Sequence, residues 1–97
     1  MNIDMKDFLL KEMDDVEIID IRDPRKYALG HIPRAKNIPS YLLQINPDNY
    51  LNKDKEYYLY CQSGNTSQAL SNRLNSMGFH VINIYGGYLK YNSMKRM

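Results

Sequence analysis

The sequence holds one cysteine, two histidines and no tryptophan. A single cysteine, Cys61, excludes an internal disulfide and fits a reducing compartment. One cysteine with two histidines also gives no recognisable metal-ligand spacing, so neither a metal nor a cofactor is expected. Long apolar runs are absent. The stretch from Met1 to Lys11 is interrupted by Asp4, Lys6 and Asp7, which leaves no signal-peptide core and no membrane-spanning segment. A cytoplasmic protein with no membrane partner is expected. Charge of one sign is scarce too: 13 basic residues against 11 acidic ones leave a formal charge of +2. The cations are scattered, so no nucleic-acid partner is expected. Lys90 and the Lys95-Arg96 end read as a solvated tail. No repeat, low-complexity tract or linker divides the sequence. Its 97 residues, 43% apolar and 25% charged, are expected to form a single domain over 1–97 around one core.

What is present centres on Tyr57-Tyr58-Leu59-Tyr60-Cys61-Gln62-Ser63-Gly64-Asn65-Thr66-Ser67. An apolar run leads to the cysteine. Small and hydroxyl-bearing residues follow it, and then a helical pattern begins. This reads as a strand, a tight loop and a helix N-terminus, with the thiol at the strand's carboxyl end. Open α/β sheets bind ligands there. Successive N–H groups of such a loop form an anion-binding concavity, and the helix dipole adds positive potential. Both favour thiolate over thiol. A lone cysteine is often only a small buried hydrophobe. The place of Cys61 at the lip of a polar turn favours instead a reactive nucleophile in an anion cradle.

The remaining chain reads as alternating strands and helices. Asp4 to Glu12 has the pattern of an amphipathic helix, with Asp4 as its cap and Met5, Phe8, Leu9 and Met13 on one face. Val16 to Ile21 is β-branched and nearly continuously apolar, as in a strand covered on both faces of a parallel sheet. Asp20 interrupts it, and a buried carboxylate needs a partner. Arg22 is the candidate, the pair forming a polar clamp under the loops. Asp23 and Pro24 suit a helix cap and first turn, and Gly30 ends that helix. His31 lies in a loop without an acid or second histidine nearby, so a hydrogen-bonding, loop-organising role is favoured over catalysis. Lys36 to Pro39 reads as a short strand entering a turn, Ser40 as the cap of a helix reaching Ile45, and Pro47 to Leu51 as a short turn or helix. Asn52 to Glu56 reads as a charged loop. After Cys61, a helix capped by Thr66 or Ser67 carries an Ala69, Leu70, Leu74 and Met77 stripe and ends at Gly78. Phe79 to Ile84 is a strand, Gly86-Gly87 a tight turn, and Tyr88 to Met94 a final helix. The pattern implies an α/β domain with helices on both faces of a sheet.

The segments Val16 to Pro24, Tyr27 to Pro39, Tyr58 to Ser67, Gly78-Phe79 and Tyr85-Gly86-Gly87-Tyr88 together resemble rhodanese domains, in order and over nearly the whole chain. The resemblance implies a rhodanese-like α/β fold: a central parallel sheet of about five strands with helices on both faces. It also implies sulfur transfer. Cys61 would take a sulfane sulfur from a donor such as thiosulfate or a persulfide and become a persulfide. It would then pass the outer sulfur to a thiophilic acceptor such as cyanide, a thiol or a protein. Gly64 would let the backbone curl around the sulfur. The N–H groups of Gln62, Ser63, Gly64, Asn65, Thr66 and Ser67 would stabilise thiolate and persulfide, with the Ser63 and Thr66 hydroxyls adding hydrogen bonds. Asp20, Arg22 and His31 would be structural residues near the site. No separate general base is needed.

The sequence departs from the family pattern in three places. Many family loops carry a cation after the cysteine, whereas Gln62, Ser63, Asn65, Thr66 and Ser67 are neutral. This disfavours dianionic thiosulfate and favours a persulfide or protein-bound donor. Lys26 stands where the family has an acid, and Arg34 where it has a glycine. Two rivals follow from the same fold. A phosphatase would need an arginine closing the loop for bidentate phosphoryl recognition, and that position is Ser67. A non-enzymatic sulfur-carrier or protein-interaction module is the other alternative.

Overall fold

The structure, a computed structural model, describes residues 1–11 and 16–95. Its strands are β1 (Asn2–Asp4), β2 (Glu17–Asp20), β3 (Lys36–Asn37), β4 (Glu56–Tyr60) and β5 (His80–Tyr85). Its helices are α1 (Met5–Leu10), α2 (Pro24–Leu29), α3 (Ser40–Ile45), α4 (Asn65–Ser76) and α5 (Gly87–Lys95), with a 3₁₀ turn at Pro47–Asn49. The strands form one sheet in the order β1-β5-β4-β2-β3, every pair parallel.

The central strand β4 shows why both faces are covered. Its side chains alternate between two cores, as the two-residue strand period requires. Tyr57, Leu59 and Cys61 join Ile19, Leu43, Leu70, Leu74, Phe79 and Val81 under α3 and α4. Tyr58 and Tyr60 join Met5, Phe8, Ile18, Ile32 and Ile84 on the other face, where Tyr27 of α2 and Tyr88 and Tyr91 of α5 close over them. The near-continuous apolar runs of β2 and β4 are thus fully used.

Local chemistry accounts for the element ends, with some corrections to the sequence reading. Asp4 caps α1 by accepting from the Lys6 N–H at 3.0 Å, and Asp23 caps α2 through the Arg25 N–H at 2.7 Å. Helix α1 ends at Leu10; the expected continuation through Glu12 and Met13 lies outside the described residues. Leu9 is 40% exposed rather than part of the buried face, which Met5 and Phe8 supply. Strand β1 was not expected: three residues are too few for a periodic signal, and pairing with β5 creates it. Ser40 is the first residue of α3 and not its cap. Glu56 belongs to β4, not to the preceding loop. Helix α4 is capped by Gly64, so Thr66 and Ser67 fall in its first turn. Its buried arc is Ser67, Leu70, Ser71 and Leu74, an i, i+3, i+4, i+7 stripe that turns Ala69 and Met77 outward. Small serines fit where the helix lies close to the sheet. Arg34, standing where a glycine was expected from the family pattern, adopts a left-handed φ of 73°.

Tyr60 is fully buried and its hydroxyl accepts the Ile32 N–H at 3.1 Å. Burial, with the neighbouring Asp20 carboxylate second, pushes its phenol well above the ordinary value. Below about pH 10 the phenol is neutral in both folded and unfolded chains. Above it the unfolded chain releases the proton first, so stability falls by up to about 1.4 kcal/mol per pH unit. Tyr60→Phe lacks this proton but orphans the Ile32 N–H, at about 1–3 kcal/mol. Urea unfolding should therefore show wild type ahead at pH 8.5 and the gap narrowing by pH 10.5. A constant gap would show that Tyr60 ionises alike in both states.

Candidate functional site

The chain turns outward to β3 after β2, and the opposite way to β5 after β4. This reversal opens a crevice at the carboxyl ends of β2 and β4, the usual binding place in an open parallel sheet. Cys61 follows β4 directly. Asp20 ends β2 and Arg22 follows it.

The cysteine loop is shaped by Gly64, whose φ of 104° reverses the chain into α4. The Gly64 N–H donates to Cys61 Sγ at 3.1 Å and the Ser67 N–H at 3.3 Å. Both belong to the start of α4, where N–H groups lack helical partners. Donors aimed at a sulfur stabilise its anionic form. Cys61 itself is only 5% exposed, so the sulfur lies beneath a loop whose Ser63, Asn65 and Thr66 are exposed. Among the described residues, no hydrogen bond joins the Ser63 or Thr66 hydroxyl to the sulfur, contrary to the expectation from the resemblance. Two of the expected backbone donors reach it.

A second turn holds the loop from α5. The Tyr88 N–H donates to the Cys61 carbonyl at 2.8 Å and the Leu89 N–H to the Gln62 carbonyl at 3.0 Å. Gly87 makes this approach possible: a Cβ there would collide with the Cys61 and Gln62 carbonyl oxygens. In the sequence the Gly86-Gly87 pair has the signature of a tight turn. Its spacing from Cys61 carries no sign that the two turns meet.

Arg22 links the surrounding loops. It is buried with Asp20, which accepts from its Nη2 at 2.7 Å, its Nε at 3.0 and 3.1 Å and its backbone N–H at 2.9 Å. Nη2 also donates to the Gly30 carbonyl at 2.6 Å, and Nη1 to Gln62 Oε1 at 3.1 Å. The guanidinium lies 4.0 Å from the Tyr88 ring centroid. Burial disfavours its charge, but the Asp20 carboxylate overcomes this and raises the Arg22 pKa. His31 stacks on Tyr27 with centroids 3.8 Å apart, and its Nδ1 lies 2.8 Å from the Tyr27 carbonyl. The Tyr27 hydroxyl donates to the Ala35 carbonyl, so this trio organises the α2–β3 loop. Beside Gln62 a cleft is lined by Arg22, Lys26, Gly30, Tyr88 and Asn92. No grouping of His, Cys, Asp and Glu that could hold a metal occurs among the described residues. No helix among them is long and apolar enough to cross a membrane.

Sheet and site together define an open parallel α/β protein with a cysteine loop at the switch point of its sheet. The rhodanese-like domain model matches residues 5–94, and the chain belongs to that family. A protein named sulfurtransferase from Allochromatium vinosum is 34% identical over 83 residues, covering 84% of this chain and 77% of the relative. A rhodanese-like domain protein from Staphylococcus aureus is 34% identical, with a TM-score of 0.75 over 89% of this chain and 85% of that one. A rhodanese-related protein from Thermoplasma volcanium is 26% identical, with a TM-score of 0.85 over 96% of this chain and 91% of that one.

Two substitutions test the supports of the loop. Arg22→Met should cost about 3–5 kcal/mol in urea unfolding, because it leaves the Asp20 carboxylate buried and unpaired. A cost under 1 kcal/mol would mean the clamp is dispensable. Gly87→Ala should slow Cys61 alkylation by iodoacetamide as well as lower the Tm, since the new methyl pushes directly on the Cys61–Gln62 backbone. Alkylation at the wild-type rate would contradict the close approach.

Proposed function

We propose that the protein is a sulfurtransferase in which Cys61 is the nucleophile and carries the sulfur as a persulfide. The observation that carries this reading is the pair of N–H donors, from Gly64 and Ser67, directed at the Cys61 sulfur. The Cys61 thiolate attacks the outer sulfur of a donor R–S–S⁻. A new S–S bond forms at Cys61, the donor S–S bond breaks, and R–S⁻ leaves. An acceptor thiolate or cyanide then attacks the outer sulfur, and Cys61 departs as the thiolate. The two displacements balance without an external oxidant or reductant. The name of the Allochromatium relative supports the same class of reaction.

The neutral loop favours a low-molecular-weight or protein-bound persulfide over thiosulfate as donor. The loop itself offers the two charges of thiosulfate backbone N–H groups and no side-chain cation, and the Arg22 guanidinium is engaged by Asp20, Gln62 and Gly30. The partners on this reading are a sulfur donor and a thiophilic acceptor, and the setting is the cytoplasm. A non-enzymatic binding module would need no directed donors on the sulfur.

Intact-mass spectrometry after incubation with a small persulfide, and separately with thiosulfate, tests the reading. Wild type should gain one sulfur atom from the persulfide, removable by cyanide, and less from thiosulfate. Cys61→Ser should gain none. A wild type that alkylates readily at Cys61 but is loaded by neither donor would overturn the proposal. Equal loading by both donors would overturn the donor preference.

A further inference from the structure

Beneath the cysteine loop runs a buried polar chain with no place in the sequence reading. Asn83 lies in β5, fully buried, on the face that packs under α4. Its strand neighbours are Val81, Ile82 and Ile84, and an apolar β-branched residue would suit the position better than an amide. A buried amide persists only where its groups are satisfied. Here they are. Asn83 Nδ2 donates to Asn2 Oδ1 at 3.1 Å and to Gln68 Oε1 at 3.3 Å. With Nδ2 committed to Asn2 and to Gln68 of α4, Asn83 Oδ1 is left as acceptor for the Ser67 hydroxyl in the same helical turn. The backbone joins in, since the Asn83 N–H donates to the Met1 carbonyl at 3.1 Å.

Ser67 is also the residue whose N–H reaches the Cys61 sulfur. Its side chain and backbone thus join two things: the sheet below and the nucleophile beside it. We propose that Asn83 is a positioning residue for Cys61. It pins Ser67, and with it the first turn of α4, where the Ser67 N–H meets the sulfur. Strand β1 contributes through Asn2, which fixes the way the amide faces. Without Asn83 the Ser67 hydroxyl keeps only the Gly64 carbonyl, 3.3 Å away within its own turn. No side chain of β5 then ties that turn to the sheet, and the Ser67 N–H is no longer pinned on the sulfur.

The role of Asn83 gains its purpose from the sulfur-transfer reading, but its test does not depend on turnover. The measurement is the rate of Cys61 alkylation by iodoacetamide from pH 5 to pH 10, for wild type, Asn83→Val, Ser67→Ala and the double variant. Valine suits a buried strand, so Asn83→Val should fold, and Ser67→Ala removes only a hydroxyl from a helix. Each single substitution should move the midpoint of the profile up by about half to one pH unit and slow alkylation at pH 7 about three- to ten-fold, because the thiolate loses a donor. The double variant should shift no further than the larger single one, since both cut the same chain. A midpoint unchanged in either single variant, or shifts that add in the double, would overturn the proposal. Shifted profiles in a protein that no persulfide loads would leave the positioning role standing and defeat only the sulfur-transfer reading.

Discussion

The buried ion pair of Asp20 and Arg22 is the contact on which the upper end of the molecule depends. Four loops or elements meet at one guanidinium: the end of β2 through Asp20, the end of α2 through Gly30, the cysteine loop through Gln62, and α5 through the Tyr88 ring. A lysine could not replace it, because only the planar fork of an arginine offers donors in so many fixed directions. Burying such a pair contributes little net stability compared with apolar packing. Its use here is geometric. The crevice between β2 and β4 would otherwise be lined by independent loops, and the arginine makes them one body.

Around that body the cysteine loop is held from two sides. From α5, the Tyr88 and Leu89 N–H groups take the carbonyls of Cys61 and Gln62. From the sheet, Asn83 takes the Ser67 hydroxyl. What remains free to act on the sulfur is a pair of backbone donors at the start of α4. Backbone donors cannot rotate away, so their field on the sulfur is set by the fold and needs little rearrangement when charge develops there. The neutrality of the loop side chains follows the same logic: the backbone supplies the stabilisation at the sulfur.

Much of this was legible in the sequence, for stated physical reasons. The nearly continuous apolar run of Val16–Ile21 announced a doubly covered strand, and the apolar run of Tyr57–Tyr60 a strand leading to Cys61. Asp4, Asp23-Pro24 and Gly78 marked helix ends by their own chemistry. Cys61 stood out because a polar, glycine-containing turn followed an apolar strand. What was not legible depended on contacts between distant residues. Strand β1 exists only through its pairing with β5, and the part played by Asn83 depends on Ser67, Gln68 and Asn2 being brought around it. The burial of Ser67 and Ser71 on α4 was hidden because small polar residues carry no apolar signal, although their spacing with Leu70 and Leu74 was helical. The Gly87 approach to Cys61 joins two turns 26 positions apart in the chain, and no local pattern reports it.

The central claim is that a sulfur atom passes through Cys61. The most direct measurement is a single-turnover transfer of isotopically labelled sulfur. The protein would be loaded from a labelled persulfide, freed of donor, and mixed with an acceptor thiol. The account predicts one label per Cys61 at the start. It predicts loss from the protein at the rate at which label appears on the acceptor, and no labelled protein with Cys61→Ser. Label that stays on wild type in the presence of acceptor, or that reaches the acceptor equally fast with the variant, would contradict it.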